Sequence, residues 1–206
     1  AIFRDTYGGT EYDMTRTLVA LNRKGELVKS PVATPFMTGD TLALFRLKRE
    51  RTICSPAATY LQVTQSRDWL PGPIGGVVWL GYDNPAATPH VPIYIGIAQM
   101  PAPYMVDGRW AFSRDCAWWA FRTVSRLANF RWQEMSKDIE AVWKPIEDGA
   151  FAGQAKFEEE VLAVWKKDPK KAREMLTKHS HDIANKAVAA YWKLGDDLWL
   201  KYSGSF

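Results

Sequence analysis

The chain reads as an α+β protein in which antiparallel strands come first and helices follow. Three observations carry that reading. Ten of twelve prolines and ten of fourteen glycines fall in residues 1–110, so the first half is cut by turns. The second half is almost free of these breakers and rich in Lys, Glu, Ala and Trp. Short β-branched and aromatic runs occupy the first half, and apolar residues at helical spacing occupy the second. The expected organisation is a strand-rich part over residues 1–110 with a helical region over 111–206 packed on it as one structural unit.

In the first half, residues 41–54 alternate weakly (Leu42, Leu44, Phe45, Leu47, Ile53) and suit a strand. Thr59 to Thr64 is β-branched and aromatic and predicts a second strand. Pro71-Gly72-Pro73 is a turn, and Gly76 to Leu80 is apolar on both faces, as a buried strand is. Asp83-Asn84-Pro85 turns the chain again before a strand over Val91 to Ala98. Strands joined by such short turns predict an antiparallel meander. Ser113 is the expected N-cap of a helix with Asp115 in its first turn. Trp118, Phe121, Val124, Ala128, Met135, Ile139, Val142 and Ile146 continue its period until Pro145 ends or kinks it. A second helix is expected from about Gln154 to Lys167. Asp168-Pro169 then supplies an N-cap and a proline at N1 for a third, broken near Ser180 and weakened at Gly195 by about 1 kcal/mol relative to alanine.

With 206 residues and 47% hydrophobic residues, the chain is long and apolar enough for a sizeable core. No apolar run approaches the roughly 20 residues that span a bilayer, so no membrane partner is expected. The net charge of +4 divides evenly, +2 in each half. The densest basic cluster, Arg46, Lys48, Arg49 and Arg51, is broken by Glu50, which argues against nucleic acid as a partner. Two cysteines, Cys54 and Cys116, are too few for a disulfide framework and read best as small buried hydrophobes. The opening Ala1-Ile2-Phe3-Arg4-Asp5 looks cut from a longer chain, so a missing signal segment says nothing about compartment.

Candidate chemistry is sparse. His179 and His181 stand at i and i+2, which point apart on a helix, so Lys178-His179-Ser180-His181 reads as a solvated helix junction rather than a metal site. Ser55, Ser66 and Ser113 lack a nucleophile elbow, and His90 is the one histidine available for a triad or for a thiolate pair with Cys54. Gly75-Gly76 precedes a strand rather than a helix, which fits close backbone packing and not a phosphate loop. Most of the ten tryptophans fall within helical patterns and read as packing residues. Arg67 suits a structural ion pair with Asp68 or another acid. Arg51 is the most suggestive residue: its guanidinium can lower a thiol pKa or hold a carboxylate bidentately, against the plainer reading of an exposed cation at a strand end.

An ordered series of segments carries more information than any of these. It runs Phe3-Arg4-Asp5, Gly9-Thr10, Tyr12-Asp13-Met14-Thr15, Arg51-Thr52 and Ser55, is densest from Leu70 to Gly96, and continues in Trp118-Trp119-Ala120-Phe121 and the helical tail. In this series the chain resembles the bacterial dipeptidase A family, cysteine peptidases of the N-terminal-nucleophile hydrolase superfamily. The resemblance implies a four-layer α/β/β/α sandwich and no metal or other cofactor. It implies a Cys at the mature N-terminus that attacks a small-peptide carbonyl. The α-amine of that Cys, with an ordinary pKa of about 7.7–8.0, is the base. It slightly favours a secreted or periplasmic location.

Ala1 departs from that pattern, having no nucleophilic side chain. The chain therefore reads as the C-terminal part of such an enzyme, inactive alone, with its nucleophile outside the sequence. It is expected to pair with the missing N-terminal part, to form a homo-oligomer or to aggregate. By resemblance, Arg51 is the catalytic supporting residue beside the nucleophile, and Tyr82 and Asp83 line the substrate pocket, although a turn-capping Asp83 is also natural. Two alternatives stay open: a hydrolase of another linear amide on the same fold, and a non-catalytic Trp-rich module that binds peptide or sugar.

Overall fold

A computed structural model describes residues 2–204. Two small antiparallel sheets come first and a helical half follows, as an α+β chain requires. β1 (Val19–Leu21) and β2 (Leu27–Lys29) form a hairpin, closed by Asn22, whose side-chain oxygen accepts from the N–H groups of Lys24 and Glu26. β3 (Tyr60–Gln65), β4 (Val77–Tyr82) and β5 (Val91–Tyr94) form a meander in the order β3-β4-β5. Its register pairs Leu61 with Gly81, Val63 with Trp79, and Trp79 with Pro92. A second large sheet, which a four-layer sandwich needs, is not among the described residues.

Residues 41–54 do not form the expected strand. α1 (Gly39–Leu44) occupies the start of that stretch because Thr38 caps it, its Oγ1 accepting from the Thr41 N–H, with Asp40 in the first turn. The remainder is an irregular loop held by single contacts, among them the Cys54 N–H donating to Asp5 O at 2.9 Å. Between β3 and β4, Pro71 opens the one-turn helix α2 (Gly72–Gly75). The glycine pair is there for contact: a Cβ on Gly75 would lie 2.5 Å from Arg67 O, and one on Gly76 2.4 Å from the Ile95 side chain.

α3 (Ala117–Ala128) starts four residues after Ser113, whose hydroxyl instead accepts from the Asp115 N–H. The chain breaks at 129–131, and α4 (Trp132–Trp165) then runs through Pro145 without ending. The period crossed this break unseen because Ala128 and Met135 are seven residues, about two helical turns, apart. Pro145 is tolerated because it and Ala141, one turn before it, are both exposed, so the unpaired carbonyl can turn to water. The helix expected from Gln154 is the second half of α4. α5 (Pro169–Tyr202) begins as expected, with the Asp168 carboxylate accepting from the Lys171 N–H.

α5 is unbroken at Ser180, and the solvated junction gives way to a packed helix. Ser180 is fully buried and its hydroxyl accepts from the Tyr94 N–H, covering the outer edge of β5. His179 stacks on Phe157 at 3.7 Å, and burial lowers its pKa. The opposite edge, β3, carries Tyr60 and Val63 at 57% and 43% exposure and pairs with nothing on its outer side among the described residues. α4 and α5 form an antiparallel hairpin that crosses the sheet. Val77, Trp79 and Tyr94 pack on Ala150, Val161, Ala172 and Leu176, while Val91 and Ile93 on the other face pack with Phe121, Ile139, Val188 and Tyr191.

One buried ion pair fixes this docking. Arg67 Nη1 donates to Glu158 Oε2 at 2.6 Å, and its other nitrogens donate to the carbonyls of Ile74 and Gly75. Glu158 also accepts from the Tyr94 hydroxyl and Gln154. Removing one member leaves a buried, uncompensated charge. Glu158→Ala is therefore expected to lower stability by roughly 3–5 kcal/mol, measured by urea unfolding. Lys193→Ala, which breaks the exposed Lys193–Asp197 pair, should change it by less than about 1 kcal/mol.

Candidate functional site

Three sites hold the residues singled out above: a cavity within the irregular N-terminal loops, a cleft between the end of β4 and α3, and a cleft where the N-terminal segment meets the sheet and α4. The first is a cavity of about 300 Å³ beneath the loop that carries Arg51. Arg51 is exposed at its border, with Met14, Phe36, Thr52 and Cys54 among the lining residues. Arg51 lies in a loop rather than at a strand end, and its guanidinium makes no hydrogen bond among the described residues. Thr52 braces the loop, its hydroxyl donating to Cys54 O at 2.5 Å. The Cys54 thiol donates to Asn84 Oδ1 at 3.2 Å and so ties this loop to the Asp83–Asn84 turn.

That turn does not bring Tyr82 and Asp83 to Arg51. Asp83 sits in the left-handed region at φ 63, which an aspartate tolerates better than most residues. Its carboxylate is wholly buried, accepting from Arg122 Nη1 at 2.5 Å and from the Ser125 hydroxyl on α3. Both oxygens are engaged, so Asp83 is an anchor for α3 rather than a lining group. Tyr82 borders a different cleft, of about 420 Å³, with Tyr104, Arg109 and Trp118. Its hydroxyl donates to Tyr104 O at 3.3 Å, and burial raises its pKa.

Neither cysteine is poised to attack. Burial pushes the Cys54 thiol up to about 12, which keeps it protonated at neutral pH. Cys116 is buried, with its thiol donating to Val106 O. The two are free rather than bonded. The pairing of Cys54 with His90 weighed above is not formed, because the Cys54 thiol faces Asn84 and His90 turns to Glu147.

That histidine belongs to a buried polar cluster with Arg4 and Glu147. Glu147, buried on α4, accepts from Arg4 Nη2 at 2.6 Å, from the His90 backbone N–H at 2.6 Å and from His90 Nδ1 at 2.8 Å. Arg4 also donates to Thr88 O and lies over the Trp143 ring at 4.0 Å. Gly81 admits the imidazole: a Cβ there would come within 3.0 Å of His90 Cδ2. The cluster borders a cleft of about 440 Å³ whose apolar wall is the Trp79–Phe151 stack, 3.9 Å between ring centroids. The sequence offers His90 a chemical role but assigns none to Arg4, which enters only within the Phe3-Arg4-Asp5 segment, or to Glu147. A faint signal existed: Glu147 and Glu158 fall on the buried stripe of α4 with Ile139, Ala150 and Val161, and an acid on such a stripe needs a cation.

Burial alone would raise the Glu147 pKa, but the hydrogen bonds from His90 and Arg4 and the Arg4 charge outweigh it and hold the carboxyl below its ordinary 4.5. A depressed folded-state pKa contributes stability above the unfolded-state value, lost as pH falls through the folded one. The stability difference between the wild-type chain and Glu147→Gln should thus be constant near neutral pH and shrink progressively below about pH 4.5. Urea unfolding over a pH series measures it. In the same way, iodoacetamide at pH 8 should leave Cys54 unmodified in the native chain and alkylate it once urea unfolds the protein.

The profile of peptidase family C69 matches residues 1–145, which takes in every strand, α3 and the first turns of α4. No curated protein matches the chain. The match spans well over half of the sequence and contains the Arg51 loop, the Tyr82–Asp83 turn, Arg4 and His90. The chain belongs to peptidase family C69, the dipeptidase A family, and its chemistry is that of a peptidase.

Proposed function

We propose that this chain forms part of a cysteine dipeptidase of the N-terminal-nucleophile type, whose attacking thiol is neither Cys54 nor Cys116 but an N-terminal cysteine from sequence outside these 206 residues. The observation that carries the reading is the coincidence of a cysteine-peptidase family match with two buried, hydrogen-bonded thiols, one of them raised to about 12. In this mechanism the thiol gives its proton to its own α-amine and its sulfur bonds to the peptide carbonyl carbon. The C–N bond breaks as the amine returns the proton to the leaving amino group. Water then splits the thioester, releasing the acyl half as a free acid.

Within this scheme Arg51 is the supporting cation. It is exposed, borders a cavity and is spent on no other partner among the described residues. A guanidinium there favours a thiolate and the oxyanion that forms on the carbonyl. Tyr82 borders a separate cleft and has no part in this step, while Asp83 holds the turn on α3. The substrate is a small peptide.

The mature full-length protein is expected to begin with Cys, as read by N-terminal sequencing, and replacement of that Cys by Ala should abolish dipeptide hydrolysis. Arg51→Ala in the full-length enzyme should lower kcat/KM by at least about tenfold, a loss of about 1.4 kcal/mol in transition-state binding. The 206-residue chain alone should release no amino acid from dipeptides above background. Hydrolysis by this chain that disappears in Cys54→Ala or Cys116→Ala would overturn the assignment.

A further inference from the structure

The outer side of β3 is a row of backbone groups in a fixed phase. The Asp83 N–H donates to Thr59 O at 3.0 Å, in register with the pairs Leu61–Gly81 and Val63–Trp79. An antiparallel pair bonds through every second residue, so Thr59, Leu61, Val63 and Gln65 turn their amides and carbonyls to β4. Tyr60, Gln62 and Thr64 turn theirs outward. All three residues are exposed, and their outward groups have no partner among the described residues.

An unpaired edge is ordinarily guarded by lysine, proline, a bulge or a covering loop. β3 reads Tyr60-Leu61-Gln62-Val63-Thr64-Gln65, without a charge, a proline or a glycine, and pairs with β4 in unbroken register. The opposite edge is protected, since the Ser180 hydroxyl accepts from the Tyr94 N–H. What fits β3 is a partner with N–H and C=O groups repeating at about 7 Å, the spacing of alternate residues in a strand. An extended polypeptide has that spacing.

The adjoining surface states which polypeptide. Leu61 and Val63 share a face with Trp79 and line the cleft of about 440 Å³. Phe3 and Phe151, both exposed, line the same cleft, and Phe151 stacks one ring face on Trp79 at 3.9 Å, leaving the other free to a ligand. In a strand added to β3, the residues opposite Leu61 and Val63 direct their side chains to this face. The residues between them bond to Tyr60, Gln62 and Thr64. Apolar side chains two positions apart therefore complement the cleft while the backbone completes the ladder.

We propose that β3 binds an extended peptide segment of five or more residues as an added antiparallel strand. Its backbone bonds to Tyr60, Gln62 and Thr64, and apolar side chains at its second and fourth positions seat against Val63 and Phe151. Main-chain bonds supply the affinity in this mode, and alternate side chains supply the selectivity. A dipeptide is too short to reach all three residues. The inference rests on the peptidase reading only for the natural source of such a segment, and no group assigned to catalysis takes part in the binding.

Isothermal titration of the 206-residue chain with acetyl-Thr-Val-Thr-Phe-Thr-amide tests it. The peptide should bind saturably, one molecule per chain, and at least about tenfold more weakly when serine replaces its valine and phenylalanine. N-methylation of its third residue removes the N–H that meets Gln62 and should cost about tenfold. The same change at its fourth residue, whose N–H points away from β3, should cost less than about threefold. Gln62→Pro sets the ring on the outward side of an edge strand, where proline is tolerated, so its melting temperature should stay close to that of the wild type while binding disappears. The two methylated peptides read the same edge without altering the protein. No saturable binding at millimolar concentration, or equal losses from the two methylations, would overturn the proposal. So would a dimer in sedimentation velocity that Gln62→Pro dissolves, which gives the edge to a second copy, or binding that the full-length protein lacks, which gives it to upstream sequence. None of these outcomes bears on which thiol attacks, which N-terminal sequencing decides separately.

Discussion

Two carboxylates buried on one helix impose the strongest constraint on this molecule. Glu147 and Glu158 lie eleven residues apart on α4, about three turns or some 16 Å along its axis. A desolvated carboxylate is tolerable only beside a cation and several donors. Each therefore selects an arginine from the first half of the chain, Arg4 for Glu147 and Arg67 for Glu158. Apolar packing alone would let a long helix slide or rotate on a small sheet. Two charge pairs at separate heights along one rod set both its register and its rotation.

The same pairs determine where the candidate sites fall. Arg67 also grips the carbonyls of α2, so the turn that leads into β4 is held against α4. Arg4 draws the N-terminal segment over the sheet, and the Asp5 carbonyl then receives the Cys54 N–H. In this way the loop with Arg51, which has little regular structure of its own, is positioned by a residue almost fifty positions earlier. Asp83 repeats the device on a smaller scale, binding the turn after β4 to Arg122 and Ser125 of α3.

Much of the architecture was legible in the sequence because it depends on local chemistry. The Thr59–Thr64 and Gly76–Leu80 runs become β3 and β4 within a residue or two, and Asp168-Pro169 starts α5 as its capping chemistry requires. The errors share a cause. Residues 41–54 have the composition of a strand but no neighbouring strand to pair with, and Thr38 offers a cap that turns the first part helical. The break between α3 and α4 preserves the helical period, so spacing could not reveal it. Ser180 looked solvated because serine usually is, yet it is needed at the rim of β5. The site was less legible still. Arg4 and Glu147 are 143 residues apart, and no local pattern announces such a meeting. Asp83 was identifiable as a special position, but whether its carboxylate looks outward or toward α3 depends on Arg122, which only the tertiary fold supplies.

The hydroxyl of Ser180 has a consequence beyond its own bond. By occupying the Tyr94 amide it terminates the meander on one flank, with a helix standing where another strand would lie. Among the described residues the other flank, β3, keeps the amides and carbonyls of its alternate, outward-facing residues unpaired. The meander is thus a ribbon with a single growing margin: whatever polypeptide extends it has one side on which to add and one direction in which to build.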